Sequence, residues 1–138
     1  MGRSERGQGS IPRDQAIGLS VGEVMISRPK TLPVTAVVGD ARRLFERPSV
    51  RTVLLVEDEV FRGAVERGAL PAAADDGEPV LDYAESEPLT ATPEMPMRDA
   101  VALLEQRREP RLVVLDPDGV TLRGLLCVNS SATGFCVQ

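Results

Sequence analysis

Residues 40–56 read DARRLFERPSVRTVLLV, and residues 99–115 read DAVALLEQRREPRLVVL. Both stretches open on Asp-Ala, continue with apolar residues at helical spacing, and close on four consecutive Val or Leu residues. This spacing predicts a helix, and a short apolar run bounded by charged residues predicts a buried strand. The chain therefore contains an internal repeat, in which each copy has a helix followed by a strand.

The elements around these two stretches match in order as well. A short helix is predicted after the capping box Ser20-Val21-Gly22-Glu23, and another near 78–83. The other elements predicted for the first copy are an extended segment 30–34, a helix 38–46, a strand 53–56, a turn 57–59 and a strand 60–65. Those predicted for the second copy are an extended segment 89–92, a helix 97–107, a strand 112–115, a turn 116–119 and a strand 120–128.

A single copy of about 55 residues has too small a core to be stable alone, so two copies must bury apolar surface together. The ends of the chain are rich in Gly, Ser and polar residues, which is typical of tails. The predicted organisation is a flexible tail over 1–20, a first repeat over 21–72, a linker over 73–79, a second repeat over 80–132 and a tail over 133–138.

The composition excludes several classes of function. The chain of 138 residues has no histidine, which removes Ser-His-Asp and Cys-His catalysis and most zinc sites. A net charge of −5 and only four aromatic residues argue against nucleic-acid binding, which needs a basic face and rings for stacking. No apolar run approaches the roughly 20 residues that span a bilayer, and no signal peptide is evident. We therefore expect a cytoplasmic protein that binds neither nucleic acid nor membrane.

The two cysteines, Cys127 and Cys136, match no known motif. They are nine residues apart, unlike a CxxC pair, and two thiols are too few for a zinc site built from cysteine alone. Disulfides are also rare in cytosolic proteins. We expect two thiols outside any disulfide, with Cys127 in a strand and Cys136 in a tail.

Three stretches of the first copy carry a resemblance to a known family. DARRLF at 40–45, VRTVLLVE at 50–57 and FRGAV at 61–65 resemble the EALxLM helix, the hRxhPVVD strand and the hhGhhT strand of CBS domains. The corresponding stretches of the second copy are 99–105, 110–116 and 118–126. The duplicated order resembles a tandem pair of CBS domains, the arrangement called a Bateman module.

This resemblance implies an α/β fold of two pseudo-symmetric β-α-β-β-α repeats, whose small sheets pack together with helices outside. It implies a non-enzymatic regulatory or sensor module that binds an adenosine-containing ligand (AMP, ADP, ATP or S-adenosylmethionine) in clefts between the repeats. It also implies a homodimer. The alternative is a structural module that binds an unidentified protein partner and has degenerate clefts. A small enzyme or metal-binding protein is disfavoured, since the acidic pairs Asp75-Asp76 and Glu85 with Glu87 are typical of solvated loops.

The chain departs from one family pattern in both copies. Family members open the final helix with Ser/Thr-x-x-Asp, whose hydroxyl meets phosphate and whose carboxylate accepts hydrogen bonds from the ribose. Here the two stretches are Glu66-Arg67-Gly68-Ala69 and Cys127-Val128-Asn129-Ser130, so both Asp residues are absent. Losing such a charge-assisted hydrogen bond costs about 1.5–3 kcal/mol, or about ten- to a hundred-fold in affinity. The sequence therefore predicts weakened nucleotide binding, and Glu66 repels a phosphate.

The residues that can still contact a ligand come from both copies. Thr31 and Thr90 begin the first strand of each copy, near where family members hold the base. Arg51 and Arg111 precede the second strand and suit a phosphate or carboxylate. The predicted ligand-binding residues are Thr31, Arg51, Thr52, Glu66, Arg67, Thr90, Arg111 and Ser130. A Thr is common in strands, and a surface Arg is commonly solvated, so each residue also has an explanation without a ligand. No catalytic residue or metal ligand is predicted.

Overall fold

The computed structural model of the chain describes residues 10–129 and 133–136. These residues form two compact units. Unit 2 is Pro29–Pro88, and unit 1 combines the residues before Pro29 with those after Pro88. Unit 2 therefore contains the sheet of the first copy, and unit 1 contains the sheet of the second.

Over residues 21–127 the secondary structure follows the predicted order. In chain order, the elements are β1 (Ser10–Pro12), α1 (Arg13–Ala16), α2 (Val21–Val24), β2 (Thr31–Pro33), α3 (Val38–Phe45), β3 (Thr52–Glu57), β4 (Val60–Glu66), a 3₁₀ turn (Arg67–Ala69), a second 3₁₀ turn (Val80–Tyr83), β5 (Thr90–Ala91), α4 (Met97–Arg107), β6 (Arg111–Leu115), β7 (Leu122–Cys127) and β8 (Gly134–Cys136).

Unit 2 is built on a three-stranded sheet with the strand order β2-β3-β4. Strands β2 and β3 are parallel and joined through α3, whereas β3 and β4 form an antiparallel hairpin. The apolar side of α3 packs on one face of the sheet, which gives the core its Ala41 and Phe45 from the helix and its Val53, Leu55 and Val65 from the strands. Burying one face in this way fixes the register, because a shift of one residue would turn the apolar side chains outward.

Unit 1 repeats this arrangement with the strand order β5-β6-β7 and the helix α4. Its core joins apolar residues of α2, α4, the sheet and β8, among them Val21, Val24, Ala100, Leu104, Leu112, Val114, Leu126 and Phe135. The predicted bounds of α4 are confirmed, and the helix ends where Arg108 adopts a left-handed backbone conformation (φ 56°).

Each short helix or turn that precedes a copy packs in the unit that contains the other copy. The capping box predicted before α2 is formed, with the Ser20 N–H donating to Glu23 Oε1 at 2.9 Å. Helix α2 buries its apolar residues in unit 1. The turn Val80–Tyr83 buries Val80 in the core of unit 2, and Ala64 and Glu85 exchange backbone hydrogen bonds of 2.9 and 2.8 Å beside it.

The close packing of these short elements explains a glycine in each sheet. A Cβ added at Gly124 would lie 2.6 Å from the carbonyl oxygen of Ile26, and one added at Gly63 would lie 2.8 Å from the Cβ of Ala84. Because real Cβ atoms do not approach other atoms so closely, glycine lets the segment after each short element lie against the sheet.

The two hairpins turn by different means. In unit 2 the turn uses Asp58 and Glu59, both with positive φ (52° and 69°), as a two-residue hairpin turn requires. In unit 1 Gly119 supplies the positive φ (80°). There the Thr121 hydroxyl and the N–H groups of Thr121 and Val120 donate to Asp118, which lowers the pKa of that carboxyl.

The expectation of tails over 1–20 and 133–138 differs from the structure wherever those residues are described. Strand β1 pairs antiparallel with β8, and Ala16 and Phe135 are buried in the core of unit 1. A strand of three residues leaves too short an apolar pattern to be recognised in a sequence. Residues 1–9, 130–132 and 137–138 lie outside the described residues.

Candidate functional site

Three of the predicted ligand-binding residues lie on one face of the sheet of unit 2. The register pairs Thr31 with Leu54 and Thr52 with Glu66. Residues directly opposite each other, or two apart on one strand, share a face of a sheet. We call this face the site face of unit 2; it carries Thr31, Thr52, Leu54, Ala64 and Glu66. The alternate residues, such as Val53, lie on the face that packs into the core.

Thr52 and Glu66 contact each other at the end of this site face. Thr52 Oγ1 donates to both carboxylate oxygens of Glu66, at 3.1 and 3.2 Å, and Thr52 is only 5% exposed. A hydrogen bond to an ionised acceptor is stronger than one between neutral groups. The contact therefore holds a negative charge at the position where the family pattern has a hydroxyl for phosphate.

Arg67 is engaged by its own chain. Its Nη2 donates to the carbonyl oxygen of Arg47 at 2.8 Å and to that of Val50, and its Cζ lies 5.3 Å from the centre of the Phe45 ring. Its N–H donates to the carbonyl oxygen of Arg51 at 2.9 Å. The guanidinium of this predicted ligand-binding residue thus stabilises the loop between α3 and β3.

The site face of unit 1 has the same construction. The register pairs Thr90 with Val113 and Arg111 with Cys127. This face carries Thr90, Arg111, Val113, Leu125 and Cys127. Thr90 is exposed and Arg111 is half-buried. Their Cα atoms are separated by one strand spacing and two residues, or about 8 Å.

The register also shows which residues of the two copies are equivalent. Arg111 occupies the position of Thr52, and Cys127 occupies the position of Glu66. Arg111 is therefore not the counterpart of Arg51, with which sequence reasoning grouped it. The consequence is a contrast in charge: a carboxylate stands on the site face of unit 2, and a guanidinium beside a thiol stands on that of unit 1.

The described residues beyond β7 include a strand, where the β-α-β-β-α pattern predicts a helix. The Asn129 N–H donates to the Gly134 carbonyl oxygen at 2.9 Å, and the Thr133 N–H donates to Asn129 Oδ1 at 3.0 Å. Strand β8 follows, so Cys136 lies in a strand and not in a tail. Ser130, a predicted ligand-binding residue, lies outside the described residues.

Sequence reasoning missed a polar network beside α3. Arg42 forms an ion pair with Asp76 and donates to the carbonyl oxygen of Pro71 at 2.8 Å, at the edge of a hollow of about 500 Å³. Nearby, the Tyr83 hydroxyl donates to Glu78. This bond, together with one from the Asp75 N–H, lowers the pKa of Glu78. The hydrogen bond to Glu78 also raises the pKa of Tyr83. No spacing in the sequence joins these residues, because they meet only through the fold.

Neither a metal site nor a membrane-spanning helix occurs in the part of the chain that the structure describes. No group of three or more His, Cys, Asp or Glu side chains comes together there as a metal site. Over the same residues, each helix is too short or too polar to cross a membrane.

The sequence matches the model of a known protein family at two positions. The CBS domain model matches residues 21–70 and again residues 80–129. The chain belongs to the CBS domain family. Its two matched regions make it a CBS-pair protein, and the predicted fold class is confirmed.

Solved structures of other proteins share this CBS-pair fold. CBSX2 from Arabidopsis thaliana, solved in complex with AMP, is 27% identical with a TM-score of 0.70, over 80% of this chain and 90% of that one. The acetoin utilization protein AcuB of Vibrio cholerae is 20% identical with a TM-score of 0.71, over 79% and 84% of the two chains. The cytosolic domain of the Mg²⁺ channel MgtE, in complex with ATP, is 17% identical with a TM-score of 0.70, over 83% and 48%. A comparison with curated protein sequences gives no significant match.

Proposed function

We propose that this CBS-pair protein is a non-enzymatic regulatory module that senses an adenosine-containing ligand through the site face of unit 1. The observation that carries the proposal is the exchange of Thr52 and Glu66 in unit 2 for Arg111 and Cys127 in unit 1. A guanidinium attracts the phosphate of a nucleotide and can bind two of its oxygens at once, whereas a carboxylate repels it.

The ligand class follows from the chemistry of this face and from one relative. Arg111 is the cation for a phosphate, and the exposed Thr90 supplies a hydroxyl on the same face, about 8 Å away. CBSX2, at 27% identity, is bound to AMP in its crystal structure. AMP is therefore the first ligand to test, followed by ADP, ATP and S-adenosylmethionine.

Unit 2 has a structural part in this proposal. Its Glu66 opposes an anion, and its Arg67 is already bound to backbone carbonyl oxygens.

We propose that the module acts in the cytoplasm as a homodimer. It passes the state of its ligand to a protein partner.

A second candidate function is a structural module that binds a protein partner and has degenerate ligand sites. One observation favours it. The positions of the two ribose-binding Asp residues of the family are Ala69 and Ser130 here, so both copies lack the carboxylate that accepts hydrogen bonds from ribose.

Thermal unfolding of the purified protein with each of the four ligands at millimolar concentration separates the two functions. A ligand present at about 100 times its dissociation constant adds roughly 2.7 kcal/mol, which raises the midpoint by several degrees. We expect AMP to raise the midpoint of the wild type and of a control, R98Q, which removes an exposed arginine of α4. R111Q should lose the shift.

Two results of this experiment would count against the proposed ligand site. A shift that R111Q retains in full would contradict the placement of the site in unit 1. No shift with any of the four ligands would favour the structural module and direct the search to protein partners.

A further inference from the structure

Cys127 and Cys136 lie opposite each other on two antiparallel segments of unit 1. Val128 pairs with Phe135, and the Asn129 N–H donates to the carbonyl oxygen of Gly134. In an antiparallel ladder, the residue before one partner faces the residue after the other. This register places Cys127 opposite Cys136, and their sulfur atoms are 3.0 Å apart. The pairing could not be read from the sequence, because it depends on the register between β8 and residues 127–129.

The backbone of these two residues already suits a disulfide. Opposed residues in antiparallel strands have Cα atoms about 4.5–5.5 Å apart, which lies inside the range of about 4.4–6.8 Å found in disulfides. Both residues are thiols in this structure, and Cys136 is more exposed than the buried Cys127. An oxidant therefore reaches Cys136 first. We propose that Cys127 and Cys136 form a redox-modification site, at which a peroxide converts the thiol pair into an intramolecular disulfide.

One molecule of hydrogen peroxide is enough to oxidise the two thiols to a disulfide. The sulfur of Cys136 attacks one oxygen of hydrogen peroxide, which breaks the O–O bond, forms a sulfenic acid and releases the first water. The sulfur of Cys127 then attacks the sulfur of Cys136, which forms the S–S bond, breaks the S–O bond and releases the second water. Two thiols and one peroxide give one disulfide and two waters, and two electrons pass from sulfur to oxygen.

The cross-link fixes the C-terminal strand of the described chain. Strand β8 pairs with β1 through only three residues, and it carries Phe135, which is 3% exposed, into the core of unit 1. In the reduced protein β8 is held by non-covalent contacts with β1, with residues 128–129 and with the core. In the oxidised protein a covalent bond to β7 holds it as well, so the redox state sets how firmly the β1–β8 sheet is closed. This consequence does not depend on whether the protein binds a nucleotide.

The test compares the full chain before and after treatment with hydrogen peroxide. We expect the intact mass to fall by two hydrogen atoms, and peptide mapping without reductant to join the peptides that contain Cys127 and Cys136. A disulfide that closes a loop of about ten residues should raise the midpoint of thermal unfolding by about 5–10 °C, and dithiothreitol should reverse the shift.

C136S is the matched control, since Cys136 is the more exposed of the pair. Under the same peroxide treatment this variant should show neither the mass loss nor the rise in midpoint. If C136S fails to fold, peptide mapping of the wild type alone still shows whether Cys127 and Cys136 form the disulfide. The proposal is overturned if both thiols of the oxidised wild type remain titratable, if oxidation stops at sulfinic acids or at dimers joined between chains, or if the cross-link leaves the midpoint unchanged.

Discussion

Replacing Arg67 with methionine should destabilise unit 2 without weakening ligand binding. Methionine keeps the length and much of the apolar stem, but it removes the donors to the carbonyl oxygens of Arg47 and Val50 and the charge above the ring of Phe45. Arg67 is exposed, so each of its two hydrogen bonds to a carbonyl oxygen contributes stability at the lower end of the usual range for a hydrogen bond. The cation–π contact adds about 0.5–1 kcal/mol. The expected loss of unfolding free energy is about 2 kcal/mol.

Urea denaturation of the wild type and R67M measures this loss. With a typical slope of about 2 kcal/mol per molar urea, the midpoint should move down by about 1 M. The control is Arg62→Met, which removes an exposed arginine whose ion pair with Glu57 is 3.8 Å long. Exposed pairs of this kind contribute about 0–1 kcal/mol. A midpoint for R67M no lower than that of the control, or a lost response to AMP, would refute the structural role of Arg67.

Three further predictions follow from the packing and hydrogen bonds. Gly124→Ala should cost about 1–3 kcal/mol in urea denaturation, because the new Cβ would overlap a backbone carbonyl oxygen. Thr52→Val should cost about 1 kcal/mol in the same assay, since Glu66 loses a hydroxyl donor. Tyr83→Phe should flatten the dependence of stability on pH. The lowered pKa of Glu78 gives stability that is present above about pH 4.5 and lost as the pH falls through the folded-state pKa. The raised pKa of Tyr83 gives stability that is present below pH 10.0 and lost as the pH rises through the folded-state value.

Each of these predictions has its own control. Gly68→Ala places a Cβ where no atom lies within 4 Å, so it should leave the midpoint unchanged, and an equal loss for G68A and G124A would contradict the packing argument. For the Thr52 contact, a double-mutant cycle with E66Q should show coupling, and strictly additive losses would contradict it. For Tyr83, equal pH profiles of wild type and variant at both ends would show that the hydrogen bond does not act on stability.

Local pattern was enough to predict the elements that bury an apolar face. Helix α4 has the predicted bounds, and β3 and β6 include the apolar runs 53–56 and 112–115. These elements carry their signal in consecutive residues, so neighbours along the chain suffice. Strands β1 and β8 carry no such signal, because each has three residues and is stabilised by pairing with a segment more than a hundred residues away.

The candidate site was predictable residue by residue but not as an arrangement. Thr52 and Glu66 were both identified from the sequence, yet their hydrogen bond follows from the register of β3 and β4. The equivalence of Arg111 and Thr52 is contained in the gapless alignment of 40–56 with 99–115, and the strand register confirms it. The engagement of Arg67 depends on the path of the loop after α3, which no local pattern specifies.

Calorimetric titration of the protein with AMP measures both the affinity and the stoichiometry of binding at the site face of unit 1. We expect one AMP per chain for the wild type. We expect binding to be unchanged in E66Q and weakened about ten- to a hundred-fold in R111Q, the cost of losing a charge-assisted hydrogen bond to the ligand. Two AMP molecules per chain, or full affinity in R111Q, would contradict the assignment of the ligand site to unit 1.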